Sequence, residues 1–546
     1  MAKHWIDEYA EKLYVSLAKR GKEVYVFNGG LSVSGLQHIG RLRGEILYGE
    51  VLRRILEEKG LKIKQYITLY VVDEWKGKKG QLSVFQDPDS ARKYTGWPLT
   101  RVPDPYGCHK NWVEHFWEDF GPYIKEFTDG AIEPVLTSEL YRDKLREFAG
   151  KTLDLRERVR EVINRYRGRK KLPENWIPFQ PICRNCGRLS TTEALEIVEN
   201  HKIKYRCHGC GYTGVADLSE GKLSWRIEWV GVWWALGVDF EPYGKDHAVP
   251  GGSRDSCNDL ARSIYGFEPP EGFPYEWVTF RRGREEADMT SSGFIGVTPR
   301  EWLEVAHPHI YRFLVLKTPP MKKITIDMAS IPRYYDQYLR AERVYYGVEK
   351  VANEDEAVLL ARSYELSYPR GSPPKYMPEQ VPYAHLAILS QVVPRHLWNT
   401  DGIKRLKRSG HLPDNPSEFG VKRILETIEK AWNWVQKYAP SYMRVRLLPE
   451  PSNEIVESLP PLHREILAEM GRKLEELDKW DEDSIKNAMI QATLNLSNKE
   501  RREVYHSFYR LFLGTHSGPR AAPLLALLGR ERALRYFEKI PEYRRK

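Results

Sequence analysis

Between residues 24 and 72 the chain runs strand, glycine turn, helix, strand, an order that leaves few architectures open. Residues 24–30 (VYVFNGG) are apolar, β-prone and end on two glycines. After a polar loop, Leu42, Ile46, Leu47, Val51, Leu52, Ile55 and Leu56 recur at helical spacing up to Gly60, and Leu61 to Val72 reads as a second strand. Strands joined by a helical crossover lie parallel, so the pattern predicts an α/β architecture with a parallel sheet. Its functional edge is expected at the loop after the first strand. Such a sheet needs cover on both faces. The 546 residues, 41% hydrophobic and 29% charged, provide for about three or four domains and exclude disorder as the dominant state.

The formal charge of +10 is unevenly spread. Residues 151–171, read as part of a helical stretch, hold nine Lys or Arg against three acids, a solvated helix face or else a nucleic-acid contact. From Lys499 on, twelve stand against five, interleaved with Tyr505, Phe508, Tyr509, Phe512, Tyr536, Phe537 and Tyr543. These segments contribute +6 and +7, so the rest of the chain is −3. Clustered cations with aromatic side chains suit RNA, with most of these rings expected in a helical core and one or two exposed for stacking. No apolar run approaches the ~18 residues a membrane span needs, and the charged start MAKHWIDEYAEKL has no apolar signal region. The expectation is a cytoplasmic protein without a membrane partner.

Four of the six cysteines form two knuckles, Cys183-x2-Cys186 and Cys207-x2-Cys210, separated by 20 residues. Four thiolates at this spacing are the pattern of a structural zinc ribbon, closed to catalysis because every ligand position is filled. His208, inside the second knuckle, ranks below the cysteines as a ligand. Cys108 and Cys257 stand alone and read as small core residues.

The loop after the first strand, GGLSVSGLQHIGR, places Gly29, Gly30, Ser32, Ser34, Gly35, His38 and Gly40 ahead of the helix. Small residues let a ligand approach the backbone, helix N-terminal amides favour phosphate, and a histidine there can stabilise charge during nucleotidyl transfer. This loop resembles the HIGH motif of class I aminoacyl-tRNA synthetases. The whole chain resembles the archaeal class I lysyl-tRNA synthetases, through VPDPYGCH (102–109), SELY (138–141), LPENW (172–176), WRIEW (225–229), GVDFEPYGKDH (237–247), RVYYGVE (343–349), WNWVQKYAP (432–440), and YRLFLG with GPR near 509–520.

The resemblance implies a Rossmann-like class I synthetase catalytic domain with a zinc-ribbon insertion, followed by all-α stem-contact and α-helix cage anticodon-binding domains. The corresponding division is 1–171 and 223–318 for the catalytic halves, 172–222 for the zinc ribbon, 319–439 for stem contact and 440–546 for the anticodon. It implies Zn²⁺ as a structural ion, lysine, ATP and Mg²⁺ at the active site, and tRNA-Lys as partner. His38 and Gly40 match the HIGH motif, followed by Arg41. Gly30 and Ser32 match the lysine-binding loop, with Gly35 beside them. Trp225, Gly244, Lys245, Asp246 and His247 match the amino-acid and ATP-side pocket. Asp246, Glu228 and Asp73 are candidate carboxylates for the substrate ammonium. WRIEW otherwise reads as a buried strand with alternating aromatics.

The chain departs from the family at the second ATP motif. In place of a KMSGSK-like loop stands Asp288-Met289-Thr290-Ser291-Ser292-Gly293, with an acid and a glycine at the two lysine positions; Met289 and Ser292 keep the family's places. Lysines there neutralise departing pyrophosphate, and losing one such donor typically costs ~10²–10³ in rate. Val33 replaces a usual proline, and Val72-Asp73-Glu74-Trp75 replaces an acidic WDD segment. Arg281, Arg282 and Arg284 are candidates to restore the charge, or else line a solvated hairpin. Two readings follow: a lysine–tRNA ligase, or a catalytically impaired paralogue acting as a tRNA- or ribosome-binding factor.

Overall fold

The computed structural model describes residues 3–543. They divide into two units. The first takes the chain up to Trp302, with Tyr311–Ile326 and Val351–Ser372; the second takes Leu303–Ile310, Asp327–Lys350 and the chain from Pro373 on.

In the first unit, helix α1 (Trp5–Arg20) leads into β1 (Tyr25–Leu31), α2 (Tyr48–Glu58), β2 (Ile63–Leu69) and β3 (Ile132–Leu136). The three strands are parallel, with Tyr25 opposite Ile63 and Leu69 opposite Leu136. On its other side β1 bridges Phe240, in parallel, and Phe240 bridges Glu271. Chain order therefore reverses beside β1, and the crevice at the strands' C-terminal ends is where α/β sheets bind ligands. The second strand is shorter than the apolar run suggested, because Tyr70–Asp73 turns away; Asp73 and Val71 carbonyls pair with Leu99 and Thr100. Ahead of α2 the helix is wound as a π-turn over Leu42–Leu47. Two glycines permit the packing there. A Cβ on Gly29 would meet the Glu45 carbonyl oxygen at 1.9 Å, and one on Gly44 would strike the Tyr275 ring at 2.0 Å.

Two buried arginines tie distant segments to this sheet. Arg312 pairs with Glu50 at 2.7 Å and donates to the carbonyls of Phe127, Leu366 and Ser367. Arg43 donates to Tyr48 and to the carbonyls of Glu276, Pro319, Pro320 and Lys322. Both charges are fully buried, a state that is costly unless every donor is satisfied.

Further along lie α3 (Lys144–Asp154) and α4 (Arg156–Arg165), then an antiparallel ribbon of β4 (Thr192–Val198), β5 (Lys202–Cys207) and β6 (Thr213–Ala216). The basic helical stretch thus stops at Arg165; Arg167, Arg169, Lys170 and Lys171 continue it as exposed irregular chain. Helix α5 (Trp225–Leu236) and α6 (Ser253–Ser263) follow, then the hairpin β7 (Val278–Arg282)–β8 (Glu285–Asp288). The strand reading of WRIEW is wrong. The segment is the start of α5, closed by Gly237 in the left-handed region, and its indoles recur every four residues along one face.

The second unit is helical: α7 (Ile331–Tyr345), α8 (Tyr383–Val392), α9 (Ile403–Arg408), α10 (Glu418–Lys437), α11 (Pro461–Glu475), α12 (Glu482–Ala492), α13 (Asn498–Leu513), α14 (Ala521–Leu528) and α15 (Arg530–Phe537). Arg423 on α10 pairs with the buried Glu342 of α7 at 2.7 Å. Where α13 meets α15, Phe512 stacks on Phe508 and Tyr536 and meets Phe537 edge-on. None of the seven C-terminal aromatics is exposed; Tyr505 and Tyr509 are half-buried. The expectation of an exposed stacking ring among them fails, since helical spacing sends these rings inward. The last three basic residues, Arg544, Arg545 and Lys546, lie outside the described residues. No helix among the described residues is long and apolar enough to cross a membrane.

Candidate active site

The crevice beside β1 opens into a cleft of about 1110 Å³. Gly30, Ser32, His38, Gly40, Arg41, Trp225, Gly244, Asp246, His247, Met289 and Ser292 all line it. Gly35 and Lys245 lie just outside. A Cβ on Gly35 would meet the Ser291 carbonyl oxygen at 2.4 Å, and Lys245 pairs with Glu276 at 2.6 Å over the Trp277 ring. His38 precedes the helix that begins at Arg41. It is 8% exposed, and its Nδ1 has no hydrogen-bond partner among the described residues. Burial, with help from Arg41, holds its pKa well below the usual histidine value, so it is a neutral imidazole at pH 7.

The cleft's carboxylates are already sorted by their partners. Lys222, 5% exposed, bridges Asp73 at 2.5 Å and Glu228 at 2.6 Å, and Glu228 also accepts from Tyr141 at 2.8 Å. An internal ammonium therefore occupies two of the three carboxylates expected to take the substrate's. Glu241 was not foreseen. It follows the Phe240 bridge, is 3% exposed, and accepts from Trp229 (2.9 Å), Trp233 (2.9 Å) and Asn28 (3.1 Å). Thr68 donates to Asn28 at 2.9 Å and fixes that amide's orientation. Among the described residues no cation lies within ion-pairing distance of Glu241. Burial raises its pKa, while the indole and amide donors hold it down. The four-residue spacing of Trp225, Trp229 and Trp233 was the available sequence signal.

The 288–293 loop is reached by cations from elsewhere. Arg41 Nε donates to Ser291 Oγ at 3.0 Å, and Lys78 Nζ donates to Ser292 Oγ at 3.0 Å. Arg281, Arg282 and Arg284 are exposed on the β7–β8 hairpin and do not line the cleft; Arg281 is held by Glu286 at 3.0 Å.

Residues 3–370 match the family described as tRNA synthetases class I (K). The chain belongs to that family. A lysine–tRNA ligase from Aeropyrum pernix is 52% identical over 97% of this chain and 96% of its own length. Ligases of the same name from Pyrococcus horikoshii and Methanocaldococcus jannaschii are 33% and 30% identical, over 96% and 98% of this chain and 98% and 99% of their own.

This class I synthetase also carries two clusters of metal-ligand type in its first unit. Cys183, Cys186, Cys207 and Cys210 converge. The Cys183–Cys210 and Cys186–Cys207 sulfur distances are each 3.6 Å, close to the ~3.8 Å edge of a tetrahedron with Zn–S bonds of ~2.3 Å. Cys183 and Cys207 are buried in a small cluster with Tyr205 and Ala216, and Cys186 packs against it. His208 turns away to Glu193 at 2.8 Å. The second cluster corrects the reading of Cys108. That thiol is exposed, and it lies 3.1 Å from His109 Nδ1 and 3.2 Å from His115 Nδ1. Asp104 Oδ1 is 3.2 Å from the same nitrogen of His115. Either group could hold a metal ion. Cys257, by contrast, is buried as expected.

Proposed function

We propose that this synthetase joins lysine to tRNA-Lys in two steps at the cleft described above. The lysine carboxylate attacks the ATP α-phosphate in line, giving lysyl-adenylate and pyrophosphate. The 2′- or 3′-hydroxyl of the tRNA's terminal adenosine then attacks the carbonyl and AMP leaves. ATP enters as its Mg²⁺ complex, which lowers the charge on the departing phosphates. Glu241 takes the substrate ammonium, and the Trp225 and Trp229 indoles pack against its stem. Neutral His38 donates a hydrogen bond to phosphate from a dry wall of the cleft.

The observation that carries the ligase reading over the impaired paralogue is the pair of contacts on the altered loop. Arg41 and Lys78 reach Ser291 and Ser292, which puts positive charge beside the segment that lost its lysines. Asp288, the wrong-signed residue, is exposed on β8 and does not line the cleft.

We assign Zn²⁺ to the four cysteines, and a second ion to Asp104, Cys108, His109 and His115, whose mixed donor set suits zinc. Exposed Arg167, Arg169, Lys170 and Lys171 offer phosphate contacts to tRNA. Residues 319–439 are assigned to its stem and 440–546 to its anticodon, following the family pattern.

Lysine-dependent ATP–pyrophosphate exchange tests the reading. Exchange is expected in the native protein and should fall by ~10²-fold in Lys78→Met. No exchange above background, with tRNA binding intact, would leave the RNA-binding paralogue, attached to tRNA or ribosome, as the only reading.

A further inference from the structure

The second unit contains a third group of ligand-type side chains, far in sequence from the cleft residues and from both clusters of the first unit. His385 lies on α8, His411 in the loop after α9, and Glu482 at the first turn of α12. One ligand atom from each lies within 4.8 Å of the other two. Glu482 Oε2 is 3.2 Å from His411 Nε2 and 3.7 Å from His385 Nδ1, near the ~3.3 Å edge of a tetrahedron with metal–ligand bonds of ~2.0 Å. The two imidazoles stack with centroids 3.7 Å apart and planes 26° from parallel.

One feature of this trio is unexplained by packing, and two more hold its members in place. First, His385 is 3% exposed, yet neither of its ring nitrogens has a hydrogen-bond partner among the described residues. Leaving a buried polar group unpaired costs about 1–3 kcal/mol, so the ring stands where it should be least comfortable. Second, His411 is held from behind. Ser409 Oγ reaches the Leu406 carbonyl at 3.2 Å and lies 3.1 Å from His411 Nδ1, so Nδ1 is engaged and Nε2 faces Glu482 and His385. A ligating histidine commonly has its other ring nitrogen engaged in this way. Third, Asp481 caps α12 by accepting from Ser484 N at 2.8 Å, which fixes Glu482 at the helix start.

We propose that His385, His411 and Glu482 form a binding site for a late first-row divalent cation of the zinc class. Two imidazoles and one carboxylate suit such an ion and disfavour Ca²⁺ or Mg²⁺, which prefer all-oxygen shells. Three protein ligands leave one position for water, on the side where the Glu482 side chain is 28% exposed. The ion ties α8, the loop after α9 and the N-terminus of α12 at one point, so its role is to clamp helices of the second unit. The site is independent of the cleft chemistry and of both metal clusters of the first unit.

Zinc itself is the probe. Full-length native protein, Glu482→Gln and His411→Asn are equilibrated with Zn²⁺, freed of excess by gel filtration and analysed for metal per chain. Each variant should carry one equivalent fewer than the native protein, with an unchanged circular dichroism spectrum. Equal zinc content in all three overturns the proposal. So does a variant whose sole change is in the pH dependence of unfolding, which would make the trio an imidazolium–carboxylate pair. Should a variant fail to fold, an anomalous difference map of zinc-soaked native crystals decides: a peak between the three side chains supports the site, and its absence refutes it.

Discussion

Replacing Lys222 with methionine tests the idea that the cleft carries its own internal ammonium. The side chain lies between Asp73 and Glu228, 7% exposed against 31% and 1% for the two acids. Burial alone would lower the Lys222 pKa; the charges of Asp73 and Glu228 outweigh it and hold the ammonium above its usual range. Methionine keeps the stem's volume and removes the charge. Asp73 can turn to water and adds little. Glu228 cannot: it keeps only the Tyr141 hydroxyl, itself fixed by accepting from Leu223 N at 2.7 Å. Breaking a buried pair in this way costs about 3–5 kcal/mol. Burial already raises the Glu228 pKa against the pull of Lys222, and without the lysine it rises further. A carboxyl whose folded pKa exceeds its unfolded one stabilises the fold at low pH and loses that contribution as pH rises through the folded value. The Lys222→Met deficit should therefore grow from pH 5 to pH 8. Thermal unfolding across that range is the assay, with an expected fall in the first unit's midpoint of about 5–10 °C at pH 8. Adding Glu228→Gln should recover most of the loss, because the charge left behind is then gone. A midpoint unchanged at pH 8, or a deficit that does not shrink towards pH 5, would refute the reasoning.

Three further outcomes follow from the site. Glu241→Gln should raise the KM for lysine in pyrophosphate exchange by about 10–10²-fold, the worth of a charge-assisted hydrogen bond, and leave the KM for ATP unchanged; equal effects on both would argue against an ammonium contact. Glu45 lines the cleft and is pushed up to about 7 by burial, with Arg41 opposing. Its contribution to stability is therefore present at low pH and lost between about pH 4 and 7, so Glu45→Gln should flatten the stability profile in that window, as read by denaturant midpoints. Chelation, or Cys186→Ser, should release one metal equivalent from the ribbon and lower its unfolding temperature; a native protein free of metal by elemental analysis would contradict the zinc assignment.

What could be read from the sequence depended on how far apart the interacting residues are. The βαβ unit spans fewer than fifty residues, and its period shift from strand to helix is local. The cysteine knuckles are likewise legible because spacing is itself the signal. Glu241 has only the indirect signature of its tryptophan partners' spacing, and Lys78 has none. Their decisive partners, Asn28 and Ser292, lie 213 and 214 residues away, and only the sheet order and the packing of the 288–293 loop bring them together. Two misreadings had local causes. The aromatic richness of WRIEW resembles a strand and masked the four-residue spacing of its tryptophans. Cys108 reads as a lone core thiol when cysteines are considered in pairs, although Asp104, His109 and His115 stand within eleven residues of one another.

The altered ATP loop becomes intelligible once the charge is followed instead of the motif. Here the loop offers serine hydroxyls, and the cations that touch them come from its neighbours: Arg41 at the start of the helix after β1, and Lys78 from the segment beyond β2. Both neighbours sit at the sheet's C-terminal edge, where phosphate is expected in this architecture. The loop's own backbone is tightly seated there. A Cβ on Gly80 would meet the Ser292 carbonyl oxygen at 2.8 Å, and one on Gly35 the Ser291 carbonyl oxygen at 2.4 Å. Restoring the family's residues should therefore not restore the family's rate. Asp288→Lys adds charge outside the cleft lining, so exchange should change by less than about threefold, whereas Lys78→Met should cost ~10². A large gain from the restored lysine would mean that the loop, and not Arg41 and Lys78, limits pyrophosphate release.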